Sequence, residues 1–201
     1  MKTTLPVIPL FLILIAVTGD CQDIPRQVGG FILGTDIRQY RNRLRETTAM
    51  PVRYKAYLVE IEIRPDAYFK SGLIAYGTCD QSEKILRIRL KYRDGSRTFY
   101  EQLLERLKKR FGEPVEWRGD PFQTVLAWKW SFIDRQQNAV SLTLQHNTKD
   151  KEQKLGNSIK LTLTSQIRKE QACHQARAAT PVDPPIPSIS GPVDWRLLIP
   201  E

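Results

Sequence analysis

The sequence predicts an α+β protein, with helices packed on one face of a mainly antiparallel sheet and an extended C-terminal tail. Three observations carry this prediction. Several short segments alternate apolar and polar residues, as strands with one buried face do. Three others are helical in spacing or composition. Helix and strand runs follow one another in blocks, in the order helix, three strands, helix, three strands, helix. Two helix-plus-three-strand units would generate that order, although no residue-level repeat accompanies it.

Of the 201 residues, 31 are Lys or Arg and 22 are Asp or Glu, giving a net charge of +9. At 41% hydrophobic and 26% charged, the chain is neither globally disordered nor a polytopic membrane protein. Two His and three Cys are too few for a His- or Cys-rich metal protein. No cofactor is indicated.

Residues 1–19 read as a secretory signal peptide. Lys2 precedes an apolar run from Leu5 to Val17, and Thr18 and Gly19 provide a small-residue exit. The run is short for a membrane span, which takes roughly 20 residues. An uncleaved N-terminal anchor and a lipidated Cys21 are the alternatives, the latter disfavoured by Asp20 just before it. The expectation is an exported protein, periplasmic or extracellular. Removing the leader takes away one Lys, so the mature charge is +8.

Residues 20–27 read as a flexible arm and 28–179 as the folded domain. After Gly29-Gly30-Phe31-Ile32-Leu33-Gly34, Thr35 or Asp36 can cap a helix carrying Ile37, Tyr40 and Leu44, which fades by Thr47. The glycines lack nucleotide-loop spacing, so no nucleotide is expected. Tyr57–Ile63 and Gly72–Cys79 are strand-like. In Ile85–Arg93, Leu86, Ile88, Leu90 and Tyr92 alternate with Arg87, Arg89, Lys91 and Arg93, which makes a ladder of cations on one face. A capping box, Thr98 with Glu101, starts a helix that Gly112 and Pro114 stop. Its last turns hold Arg106, Lys108, Lys109 and Arg110, where cations suit the helix dipole.

Val125–Phe132, Val140–His146 and Ile159–Leu163 read as three further strands, with a polar loop over 147–157. A last helix runs from Gln166 to about Ala178. Residues 180–201 form a Pro-rich tail that ends in Trp195, Leu197, Leu198 and Ile199, a candidate docking segment for this domain or a partner. The tail is acidic, which places the basic excess in the folded body.

Export permits a disulfide, and Cys79 with Cys173 is the candidate pair; unpaired thiols are the alternative. His146 is the best candidate for a hydrolytic base, with Asn147 and Asp150 nearby, but no nucleophile motif accompanies it. A strand-end histidine bonded to its loop is the simpler reading. Cys173-His174 supplies only two metal ligands, so no metal is expected. Trp128 and Trp130 share a strand face, where aromatics mean core more often than base stacking, and no firm nucleic-acid signal results.

Gly29–Gly34 and Lys91–Pro114, leading into WKWSF and LQHN, resemble uncharacterised secreted proteins of Gram-negative bacteria over roughly residues 28–170. The resemblance implies a small exported α+β module and brings no activity with it. The expected function is therefore non-catalytic binding of a protein or envelope partner. The alternatives are an anionic ligand (lipid, polysaccharide or nucleic acid) held by Arg87, Arg89, Lys91 and Arg93, and a hydrolase centred on His146.

Overall fold

A computed structural model of the chain describes residues 24–148 and 156–179. The leader, Cys21 and the tail from 180, with Trp195, Leu197, Leu198 and Ile199, lie outside the described residues, as does Asp150.

β1 (Gln27–Val28) and β2 (Phe31–Ile32) form a small hairpin. Gly29 and Gly30 turn it at φ +58 and +75, the left-handed region that glycine enters without steric cost. The segment expected as a flexible arm thus ends in order, with Pro25 buried and Gln27 paired to Ile32.

The first expected helix is shorter than its spacing suggests. Asp36 accepts the Arg38 backbone N–H and caps a 3-10 helix, Ile37–Arg43. Tyr40 departs from helical geometry at φ −113 and ψ 15, and Leu44 opens β3 (Leu44–Val52). Ile37 and Leu44 are both buried, but from two different elements, so their spacing imitated one helical face. Thr47 and Thr48 suit a strand because their branched Cβ fits the pleat.

β4 (Lys55–Ile63), β5 (Phe69–Gly77) and β6 (Ile85–Tyr92) follow, then α1 (Arg97–Phe111). Next come β7 (Glu116–Trp117), β8 (Val125–Ile133), β9 (Ala139–Asn147), β10 (Gly156–Leu163) and α2 (Thr164–Ala179). Each half therefore gives four strands to the main sheet where three were expected; β3 and β7 are the additions. The cap of α1 is Ser96, two residues before the expected Thr98: its Oγ accepts the Phe99 N–H at 3.2 Å. Gly112, at φ +78, ends the helix as expected.

The main sheet has eight strands in the order β3-β4-β5-β6-β10-β9-β8-β7, and every pairing is antiparallel. Two consecutive four-strand meanders meet where β6 pairs with β10. One face is apolar: Ile88 and Leu90 of β6, Leu161 of β10, Leu144 of β9 and Trp130 of β8 are at most 1% exposed. Both helices cover this face. Tyr100 of α1 lies 5.5 Å from His146, Phe111 lies 5.5 Å from Phe132, and His174 of α2 lies 6.1 Å from Tyr57, each measured between ring centroids.

One side of α2 grips the loop after β5. The fully buried Glu170 carboxylate accepts the backbone N–H groups of Thr78, at 3.1 Å, Cys79, at 2.8 Å, and Gln81. One helical turn on, Cys173 forms a disulfide with Cys79 at a Cα separation of 5.9 Å. Gln166, one turn before, donates to Asp80, and Arg177 donates to the Cys79 carbonyl. The spacing 166, 170, 173, 177 lies along one face of a helix.

Both sheet edges are broken up. β3 loses register between Arg45 and Met50 and again at Pro51, and β7 has only two residues.

Two predictions follow from the packing. The disulfide closes a loop with a sequence separation of 94. Chain entropy assigns such a crosslink about 4–5 kcal/mol, so Cys173→Ser should lower the urea midpoint by a corresponding amount, with a steeper slope because the uncrosslinked unfolded chain exposes more surface. An unaltered midpoint would refute the assignment. The second concerns alkali. Burial pushes the Tyr92 and Tyr100 phenols up to about 12, against an ordinary value of 10.0. The unfolded chain gives up these protons first, so their stabilisation is whole below pH 10 and lost as pH rises to 12. Tyr100→Phe should move alkaline unfolding, followed by tyrosinate absorbance and circular dichroism together, to higher pH.

Candidate functional site

The other face of the sheet carries polar side chains. Its layout follows from strand register, because residues directly opposite on neighbouring strands point to the same side. One row crosses all eight strands: Arg45 on β3, Glu62 on β4, Leu73 on β5, Arg89 on β6, Lys160 on β10, Thr143 on β9, Lys129 on β8 and Glu116 on β7.

The cations at both ends of this row have close carboxylate partners. Arg45 pairs with Glu62 at 3.4 Å, and Lys129 pairs with Glu116 at 3.0 Å. Arg118, just past β7, also holds Glu116 at 2.7 Å. The centre is different. Arg89 and Lys160 are direct cross-strand partners with the same charge. Among the described residues Arg89 has only a distant carboxylate, Glu60 at 3.9 Å, and Glu60 is already shared with Arg87 at 3.5 Å. Lys160 makes no ion pair among the described residues.

The electrostatics match the geometry. Partial burial lowers the Lys160 pKa first, and repulsion from Arg87, Arg118, Arg89 and Lys129 lowers it further. Arg87 is also held below its ordinary value, by burial above all, although Glu60 opposes the shift. Small polar residues form the floor between these cations. Thr162 lies opposite Arg87, Ser158 opposite Lys91, and Thr143 and Ser141 beside β10; Thr162, Thr143 and Ser141 are buried. A cleft of about 290 Å³ adjoins the centre, with Arg45, Lys70, Ser71, Arg89 and Lys91 in its lining.

The expected ladder of four cations is therefore a ladder of three. Arg87, Arg89 and Lys91 stand on β6 and point to the helix-free face. Arg93 lies beyond the strand end and donates from Nε to the Asp66 carbonyl, so it braces the β4–β5 loop. Lys160 and Lys129 complete the cluster. Sequence alternation put Lys160 on the polar side of its strand, but only the register places it against Arg89. The basic end of α1 contributes no comparable centre: Lys108 pairs with Glu113 at 3.1 Å, Arg106 donates to the Gln102 carbonyl, and Arg110 lies over Phe111.

The other candidates sit in the fold. His146 is 3% exposed and faces α1. The Asn157 amide nitrogen donates to the carbonyls of Asp94 and Ser96, at 2.9 and 2.8 Å, which fixes its oxygen toward His146 Nδ1 at 2.8 Å. Nδ1 is therefore a donor, and Nε2 points into the interior. Neither Nε2 nor the Tyr100 hydroxyl has a hydrogen-bond partner among the described residues. This is a core histidine that ties β9, β10 and the start of α1 together. Trp130 is 1% exposed and donates to the Gly112 carbonyl at 2.8 Å. Trp128 is half-buried against the exposed Trp117 at 4.7 Å between ring centroids. Cys173 is committed to its disulfide. Among the described residues no group of three His, Cys, Asp or Glu could hold a metal ion, and no helix is long and apolar enough to cross a membrane.

No known family, curated protein or solved structure matches the chain. The likeness to exported bacterial proteins rests on the sequence motifs alone.

A like-charge pair directly across a sheet is destabilising, by an amount within the range of about 0.2–1 kcal/mol typical of cross-strand pairs. Lys160→Met keeps the apolar stem and removes the charge. The variant should be more stable than the native protein by about that amount, and the gain should shrink as salt rises. Chemical unfolding at two ionic strengths measures both effects; a less stable variant would mean that Lys160 has a structural partner.

Proposed function

We propose that the protein is an exported, non-catalytic binding module that holds an anionic ligand on the helix-free face of its sheet. One observation carries the reading. The centre of that face sets Arg89 against Lys160, while the outer cations of the same row have carboxylate partners. A fold with no use for the central charge would gain by replacing it. An arrangement that violates local stability without compensation is the mark of a site kept for binding.

Two further features support the reading. The Cys79–Cys173 disulfide suits an oxidising compartment, in keeping with the apolar leader. The burial of His146 beneath α1 withdraws the best hydrolytic candidate from solvent. The docking segment expected at Trp195 and Leu197–Ile199 lies outside the described residues and does not enter this reading.

Salt-dependent retention on heparin, a sulfated polyanion, tests the site. Replacing Arg87, Arg89 and Lys160 together by Met should move elution to much lower salt. Replacing Arg106, Lys108 and Lys109 of α1 by Met removes the same charge elsewhere and should move it much less. Equal shifts would mean that net charge alone governs retention, and the site would be withdrawn.

A further inference from the structure

The geometry points to a tetrahedral oxyanion, a phosphate or sulfate group, as the ligand of the Arg89–Lys160 centre. This inference rests on the anion-binding reading and narrows it. Three features separate it from other anions.

The first is the direction of the donors. Arg89 and Lys160 rise from neighbouring strands at one level, with side-chain bases about 5 Å apart. Arg87 stands one step along β6 on the same face, about 7 Å away in strand rise. Hydroxyls of Thr162 and Ser158 flank Lys160 on its own strand, and Thr143 lies beside it on β9. A group at this centre meets donors from three strands, not from one plane. A carboxylate presents two oxygens in one plane, which a single guanidinium fork satisfies. A tetrahedral oxyanion presents oxygens in several directions and can engage the fork, the ammonium and the hydroxyls together.

The second is charge. Among the described residues Arg87, Arg89 and Lys160 face one nearby carboxylate, Glu60. The centre therefore keeps an excess of about two positive charges, which a phosphate or sulfate dianion, or two neighbouring sulfo groups of one molecule, matches better than a single monoanion.

The third is what surrounds the centre. Recognition of nucleic-acid bases or sugar rings uses aromatic platforms. Among the described residues the exposed aromatics are elsewhere: Tyr54 lies in the β3–β4 turn, Tyr68 and Phe122 precede β5 and β8, and Trp117 faces Trp128 on the opposite side. The face reads the charged group and not a ring attached to it.

The shared chemistry is a phosphoryl or sulfo group, free or attached to a larger molecule. The test is thermal unfolding of the full chain with inorganic phosphate, inorganic sulfate, a sulfated disaccharide, acetate or chloride, all at one ionic strength. Phosphate or sulfate should raise the midpoint saturably, and acetate and chloride should not. A larger effect of the sulfated disaccharide than of free sulfate would place the group on a carbohydrate; equal effects would make the free ion sufficient. Lys160→Met and Arg89→Met should each weaken apparent affinity tenfold or more, whereas Lys108→Met on α1 should leave it unchanged. Lys160→Thr serves as a second variant if the methionine perturbs folding. Equal responses to all anions, or a Lys160→Met protein that responds like the native one, would overturn the inference. If phosphate and sulfate are silent while the triple variant still loses heparin retention, the anion-binding face stands and the tetrahedral centre falls. If heparin retention is also unaffected, both fall.

Discussion

The pairing of β6 with β10 is the contact on which the architecture depends. Without it the chain would be two separate four-stranded meanders. With it, Leu90 meets Ile159 and Ile88 meets Leu161 at the middle of one continuous core. The same register sets Arg89 beside Lys160 on the reverse side, because side chains alternate faces along each strand. A slip of one residue would bring the charges into the core and the leucines out. The apolar centre and the cationic centre are two sides of one register.

α2 holds this arrangement closed at one end. It follows β10 directly, spans the apolar face to Tyr57 of β4, and is fixed to the 78–81 loop through Glu170 and Cys173. Glu170 illustrates how a buried carboxylate is tolerated: its oxygens accept three backbone N–H groups, of which that of Thr78 is shared with the Tyr57 carbonyl. The covalent bond and the polar contacts act on the same loop, so the last helix of one half is joined to the strands of the other.

The strands with a strict two-residue alternation were legible in the sequence. β6, β8, β9 and β10 lie where Ile85–Arg93, Val125–Phe132, Val140–His146 and Ile159–Leu163 placed them, within a residue or a few at each end. β3 was not legible, because a kinked 3-10 turn runs straight into it and the buried Ile37 and Leu44 mimic a helical repeat. β7 is too short to leave a pattern. The cap of α1 was misplaced by two residues because Ser96 and Thr98 are both competent caps, and only the backbone geometry chooses between them. For the site, the alternation on β6 exposed Arg87, Arg89 and Lys91 as one face, but the strand's exit at Tyr92 removed Arg93 from it. Lys160 lies 71 positions after Arg89, and no local pattern joins residues whose contact is set by strand order.

The acidic residues at the flanks of the cationic row give the face a direction. Glu62 and Glu60 on β4 close one side, and Glu116 on β7 closes the other. Between these fences the positive potential forms a trough that follows β6 and β10, with Arg87, Arg89 and Lys91 along its length. A ligand bearing a string of negative charges that lies across the strands meets cations already engaged by carboxylates, whereas one that runs with them follows the less compensated Arg89 and Lys160. On the proposed reading the sheet would discriminate by orientation as well as by charge, a constraint that a compact anion escapes.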